Sequence, residues 1–557
     1  MAQKLMTPGV YIEEVNAFPG SVVEVATAVP AFIGYTEKAE RNGKSLVNQP
    51  TRITSFAEYF QFFGGAFKPM FTLDEIKEGD IPKHEITIND QSKAINYLTD
   101  NDTYMFRSLQ LFFNNGGGTC YIVSVGTYRG KDKVEVEQNA IEGGLATLLK
   151  EQEPTMILIP GAIKLDNCYD VYKKVLAHCA KMQSRVAILD IQEGDGPRIS
   201  TENVDIINKF REKIGTEYLN YAAAYYPWLN TNIVQKGEIT FENLDASVDL
   251  STLLPEVAAQ GLVKGYPADR NAFVDALIKE KADDLTQALV SDNPDGLDSA
   301  VTDGKLKEDF DASALTGMEE KAELPATKAL ISSYISNKSR NLHLGLIATS
   351  PTYANLLDEI TAVINILPAS SAMAGIYTTV DNNRGVWKAP ANISLNSVVK
   401  PTVNITHDDQ ETLNVDATSG KSINAIRTFP GIGTLIWGAR TLDGNSLDWK
   451  YINVRRTMIM LEQSIKLALR SYVFEPNDSN TWITVKSMIV NFLNEKWKQG
   501  ALAGSAPEDA FDVQIGLGAT MTSLDILEGK MLVSVKLAVV RPAEFIVVTF
   551  EQQMQKS

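Results

Sequence analysis

Between Thr155 and Tyr226 the chain alternates strand-length apolar runs with helix-length amphipathic ones, and no other feature restricts its fold as much. Thr155 to Ile159 reads as a strand, Asn167 to Met182 as a helix and Arg185 to Asp190 as a second strand. The helix Val204 to Ile214 and the strand-like Asn220 to Tyr226 follow. Strands separated by helices of this length pair in parallel, and the connections default to right-handed crossovers. The same cadence begins upstream. Ala31 to Tyr35 is a short apolar strand, Ser55 to Phe67 a helix start followed by an aromatic cluster, and Asn101 to Phe113 a helix. Asn114 to Gly118 stops that helix before a buried strand at Cys120 to Val125.

From Trp228 to about Ala326 the pattern loosens. Asp292 to Gly296 and Lys305 to Glu323 are acidic and poor in large apolar residues, as expected of an inserted surface module of irregular order. Pattern returns with a helix at Lys328 to Ile335 and a strand at His343 to Thr349. Arg455 to Tyr472 and Trp482 to Trp497 carry apolar residues at helical spacing, the second stopping at Gly500. Alternation from Met531 to Val539 predicts a strand with one buried face.

The ends pose a separate problem. Phe545 to Phe550 is a run of β-formers without charge or proline, and an uncovered strand of that kind is a template for pairing with another chain. At the other end, Val10 to Val15 and Ser21 to Val25 are short strand-like runs preceded by breaks at Pro8-Gly9 and Pro19-Gly20. Either the chain folds these segments into its own sheets or another copy accepts them.

A chain of 557 residues is too long for one core and suggests about three or four domains. Sixty-nine acidic against 52 basic residues leave a formal charge of −17, which disfavours nucleic acid as a direct partner. The opening residues lack an apolar leader, and no stretch reaches the length of a membrane helix, so neither secretion nor membrane insertion is expected. Cys120, Cys168 and Cys179 supply no disulfide framework. Cys168 and Cys179 lie on one predicted helix about 16 Å apart, too far to bridge. Folding in a reducing cytoplasm is the expectation.

A search for reactive chemistry finds little. His84, His178, His343 and His407 are scattered without ligand spacing, and His407 to Asp409 reads as a solvated turn. Pro430 to Thr434 is glycine-rich but no clear strand precedes it and no Lys-Ser/Thr follows. Gly116 to Gly118 precedes a strand where phosphate binding needs a helix. Both read as tight turns. No nucleophile elbow, zinc-protease motif or paired carboxylate pattern occurs. No catalytic residue, metal or cofactor is therefore expected. Arg455 and Arg456 open a long helix against its dipole, which favours partner charges, either within a packed region or on an acidic neighbour. Lys486, Lys496 and Lys498 on or near the last amphipathic helix are either a solvated face or a docking face.

Several blocks resemble the tail sheath proteins of contractile phages and related injection systems. They are Thr7 to Tyr11, Ala224 to Trp228, Leu367 to Tyr377, Asp381 to Asn392, Phe429 to Leu442, Trp449 to Arg456, Phe474 to Asn477 and Arg541 to Phe545. They keep the family's order over nearly the whole chain, while Trp228 to Ala326 matches poorly. The resemblance implies a homo-oligomer of stacked rings or a helix around an inner tube protein, with baseplate and cap proteins and sister sheath proteins as further partners. It also implies contraction by nearly rigid-body movement and arms that cross to neighbours to complete a shared β-sheet. The exchanged residues would be Val10, Tyr11, Ile12, Val22, Val23 and Val25 at one end. At the other they would be Glu544, Phe545, Ile546, Val547, Val548 and Phe550. Arg455, Arg456, Lys486, Lys496 and Lys498 are candidate contacts to the tube or a neighbour.

The expected fold is a multidomain chain of α/β and α+β parts. Residues 1–30 form an N-terminal linking arm, 31–227 an outward α/β domain and 228–326 an acidic insertion. Residues 327–540 form a C-terminal α+β sheath core, and 541–557 a C-terminal linking strand. The rivals are a phosphate-binding α/β enzyme using the Gly431/Gly433 turn and a non-contractile self-assembling tube or shell component.

Overall fold

The computed structural model describes residues 22–77, 82–98, 104–131, 134–199, 204–266, 337, 339–416 and 418–549. The chain divides into two compact units. The larger takes residues up to 67, 103–233 and 367 onward; the smaller takes 68–102 and 234–366.

The larger unit is built on an eight-stranded sheet. In chain order its strands are β1 (Pro30–Thr36), β2 (Thr51–Ile53), β3 (Cys120–Thr127), β4 (Met156–Leu158) and β5 (Val186–Asp190). They continue with β6 (Ala222–Tyr226), β7 (Asn424–Phe429) and β8 (Gly433–Ile436). The spatial order is β8-β7-β6-β5-β4-β1-β3-β2. Every pair from β3 to β7 is parallel, and β2 and β8 close the two edges antiparallel. Strands β1, β4, β5 and β6 are buried along their whole length, as a parallel sheet covered on both faces requires.

The helices of this unit include α1 (Phe56–Phe63), α2 (Met105–Asn114), α3 (Gln138–Thr147), α4 (Cys168–Met182) and α5 (Ile206–Lys213). They continue with α6 (Ser370–Arg384), α7 (His407–Asn414), α8 (Ile452–Leu469) and α9 (Ser479–Lys498). Ser55 caps α1 by accepting from the Glu58 amide, and Asp205 and Asp478 cap α5 and α9 in the same manner. Helix α6 crosses the end of α2 at backbone contact. A Cβ on Gly375 would sit 2.6 Å from the Phe112 carbonyl oxygen and 2.8 Å from Asn115 Cβ, so only glycine permits the approach.

Beyond this layer, α8 and α9 share an apolar core with a two-stranded antiparallel sheet, β9 (Phe511–Ile515) and β10 (Val533–Leu537). A lone ribbon of that size is marginal in water, and Val485, Met488, Ile489 and Phe492 of α9 supply the apolar cover it needs.

The smaller unit contains an antiparallel three-stranded sheet (Phe71–Glu75, Glu85–Ile88, Gln91–Tyr97) and the helix Pro351–Ile364. Tyr353, Leu356 and Ile360 on that helix pack with Phe71, Ile88, Leu250 and Leu254 in one core.

Several expectations change here. The segment expected to be a strand at His343 to Thr349 is helical, within 339–349. Leu342 and Leu346 are four residues apart and both enter the core, which the helical period allows, and His343 Nδ1 lies 2.9 Å from the Tyr353 hydroxyl. His407 to Asp409 is the first turn of α7 rather than a loop, with Thr406 and Asp409 forming a reciprocal capping box. A strand, β7, does precede Pro430. Pro430 to Gly433 is the tip of the β7–β8 hairpin, with Gly431 and Gly433 at φ +77 and +105.

The domain boundaries also move. Strands β7 and β8, expected in a separate C-terminal core, complete the sheet begun at residue 30, because β7 pairs with β6 through Tyr225 and Tyr226, and helix α6 packs on that sheet with Ser370 donating to Asp190 of β5. The described part of the expected insertion is ordered: Leu250, Leu254 and Ala259 are core residues of the smaller unit. The acidic segments Asp292 to Gly296 and Lys305 to Glu323, and the helix expected at Lys328 to Ile335, lie outside the described residues.

Candidate functional site

The termini of the described chain leave the larger unit from two clamped positions. After Glu544 the backbone belongs to no sheet among the described residues, and its side chains face solvent. Phe545 is 72% exposed, Ile546 81%, Val547 89% and Val548 65%. Covering such side chains would be worth roughly 1.5–3 kcal/mol each.

Glu544, the residue before this run, is gripped from three directions. Arg440 donates from Nε to Oε1 at 2.9 Å and from Nη2 to Oε2 at 2.7 Å. Asn414 Nδ2 donates to Oε1 at 2.8 Å and the Tyr451 hydroxyl to Oε2 at 3.0 Å. Burial pushes the Glu544 carboxyl up, but these hydrogen bonds and the Arg440 charge outweigh it and hold the group below the usual glutamate range. Arg440 is positioned by β7: its amide donates to Asn424 Oδ1 at 2.7 Å, and Asn424 Nδ2 donates to the Arg440 carbonyl at 2.8 Å.

The N-terminal root is built differently, around a buried ion pair. Arg456 on α8 and Asp381 on α6 pair at 2.5 Å, their side chains 4% and 2% exposed. The Thr27 hydroxyl donates to Asp381 Oδ2 at 2.6 Å, and Arg456 Nη2 donates to the Thr27 carbonyl at 3.0 Å. The guanidinium also lies 4.6 Å over the Tyr377 ring, whose hydroxyl meets that of Tyr225 on β6 at 2.7 Å. Closer to the terminus, the Val25 amide donates to Ser464 Oγ at 3.1 Å, Glu24 pairs with Lys496, and Val22 is buried in the α8–α9 core.

The candidate residues thus separate by role. Val22, Val25 and Glu544 belong to the fixed roots. Val23 is 76% exposed, and Phe545, Ile546, Val547 and Val548 are free. Val10, Tyr11, Ile12 and Phe550 lie outside the described residues. Of the proposed contact cations, only Lys486 and Lys498 are exposed. Arg456 and Lys496 are buried and spent on the N-terminal root. Arg455 is buried too, its guanidinium 4.1 Å over the Tyr221 ring and 4.5 Å over the Trp449 ring. These three are therefore internal holds in the subunit, and the helix-dipole argument finds its counter-charge in Asp381. Sequence reasoning missed Arg440, Asp381, Asn414 and Ser464 as anchors; the first two stand inside blocks that carry the sheath resemblance.

Among the described residues no cluster of three or more His, Cys, Asp or Glu could hold a metal ion. None of their helices is long and apolar enough to cross a membrane. All three cysteines are buried free thiols, and burial pushes Cys168 and Cys179 up to about 12.

Residues 445–553 match the family model of the phage tail sheath C-terminal domain. The tail sheath protein of Burkholderia phage BcepMu is 25% identical over 157 residues, 27% of this chain; the alignment spans about a third of that protein's length, 32%. Among solved structures, the sheath of the extracellular contractile injection system PVC in its contracted state covers 99% of both chains. It does so at 26% identity and a TM-score of 0.55. The contracted helical sheath of the anti-feeding prophage AFP covers 99% of this chain and 100% of its own, at 25% identity and a TM-score of 0.55. The mixed α/β fold is thus similar along its whole length to sheath subunits of contractile injection systems. The match at residues 445–553 and the BcepMu protein extend that similarity to the tail sheath proteins of phages.

Proposed function

We propose that this chain is the structural subunit of a contractile sheath. It polymerises as stacked rings or a helix around a rigid inner tube and contracts by nearly rigid-body rearrangement, driving the tube through a target envelope. The observation that carries the reading is the whole-chain likeness to two sheaths solved in the contracted state. The exposed apolar run Phe545 to Val548 supports it, since a subunit that keeps its own sheets complete and its terminal strand bare is equipped to lend that strand to a neighbour.

In this reading the free segment beyond Glu544, with the N-terminal arm outside Val22, joins the sheets of neighbouring copies. A gain of a few kcal/mol per subunit drives contraction when summed over the polymer, without nucleotide. A baseplate and a cap protein close the ends, assembly takes place in the bacterial cytoplasm, and the finished particle is a virion tail or an injection device. Electron microscopy of the protein expressed with its inner tube tests this. Striated cylinders in a long narrow and a short wide form are expected. Monomers alone would overturn the reading, and cylinders of one fixed length would replace it with a non-contractile tube.

A further inference from the structure

Helix α8 touches the roots of both arms. Tyr451, at its N-cap, donates to Glu544 at the root of the C-terminal arm. Five residues on, Arg456 holds Thr27, and Ser464 receives the Val25 amide. With a rise of 1.5 Å per residue, these holds lie within about 20 Å along one rod. The rod is braced against the sheet unit: Arg455 is stacked between Tyr221 and Trp449, and Arg456 pairs with Asp381 of α6. Its apolar face, with Met460, Leu461 and Ile465, is buried against α9 and the β9–β10 ribbon.

We propose that α8 is a strut that fixes the spacing between the departure points of the two arms, with Tyr451, Arg456 and Ser464 as its positioning residues. The spacing follows from the fold alone. Its consequence, that a pull on one arm is passed to the other through a packed helix, rests on the sheath reading. Two soft connections would let the arms separate independently. One helix hydrogen-bonded to both allows a displaced subunit to carry its neighbours in register, because a packed helix cannot stretch without breaking its own hydrogen bonds.

The test uses paired spin labels on the isolated full-length subunit at V23C and F545C, both exposed positions. The native cysteines are buried and remain unlabelled. Pulsed dipolar spectroscopy should give one narrow distance peak. E544Q, which weakens the C-terminal hold, should lose that peak while thermal melting stays cooperative, and so should T27V combined with S464A at the N-terminal hold. E153Q, at an exposed surface pair, serves as the control and should leave it unchanged. R440K, which keeps the charge but not the two-pronged grip, provides a second C-terminal variant should E544Q fail to fold. A broad distribution in the parent, or a narrow peak that survives at both holds, would overturn the strut. Cylinder formation is scored separately on the parent, and its failure strikes the sheath reading and not the spacing.

Discussion

Arg440 meets Glu544 with its guanidinium edge, Nε at 2.9 Å from one carboxylate oxygen and Nη2 at 2.7 Å from the other, immediately before the chain turns bare. The arginine is 5% exposed and the glutamate 20%, so the pair is largely sheltered from screening. The arrangement ties the start of the exposed segment to Arg440, which Asn424 of β7 holds in turn.

Arg440→Ala should destabilise the larger unit by about 3 kcal/mol, because it removes the counter-charge of the largely buried Glu544 carboxylate, leaving it only the neutral donors Asn414 and Tyr451. Thermal melting checks this. An unchanged melting temperature would mean that the clamp is ornamental to the folded subunit.

Deleting Phe545 to Ser557 leaves Glu544 and every described core residue in place. The truncated subunit should melt like the parent and stay soluble, yet build no ordered sheath. Full-length cylinders from this variant, seen by electron microscopy, would contradict strand exchange through this segment.

Leu461 is fully buried among α8, α9 and the β9–β10 ribbon. Leu461→Asp places an unpaired carboxylate there and should cost at least about 4 kcal/mol, unfolding the α8–α9 region. Circular dichroism on heating, or loss of soluble protein, reads the result. Retained stability would show that this face is not core.

Asp190, at the end of β5, accepts from the Ser370 amide at 2.8 Å and from its hydroxyl at 2.5 Å. Burial nevertheless pushes its carboxyl up to about 6 from 3.8. A carboxyl raised in the folded state binds more protons there than in the unfolded chain. Its contribution to stability is therefore complete below 3.8 and declines as pH rises through about 6. Asp190→Asn keeps the shape and an acceptor for the Ser370 amide, and it should flatten the stability profile between those two values by about 3 kcal/mol. Denaturant midpoints across this range test it, and an identical slope in parent and variant would assign the titration elsewhere.

Local pattern was legible wherever one period dominated. The alternation from Thr155 to Tyr226 yielded strands and helices close to β4, α4, β5, α5 and β6, and the apolar spacing from Arg455 to Trp497 anticipated α8 and α9. It misled at His343 to Thr349, where a short apolar run suits either period and only the core into which Leu342 and Leu346 pack decides between them. The resemblance blocks placed Arg440, Asp381 and Arg456 in the segments that matter without indicating what each residue holds.

What the sequence determined by itself is the alternation that demands a doubly covered parallel sheet, the apolar run that no charge protects, and the absence of a catalytic motif. These follow from the order of residue types along a few turns or a single strand. Tertiary structure alone decided that β7 and β8 return to the N-terminal sheet and that the candidate contact cations Arg456 and Lys496 turn inward. It also decided that residues of one helix, Arg456 and Tyr451, hold Thr27 and Glu544. Arg456 and Thr27 are 429 residues apart, and Arg440 and Glu544 are 104 apart. An arginine's role depends on which carboxylate the folded chain brings within reach, and separations of that length leave no periodic trace in the sequence.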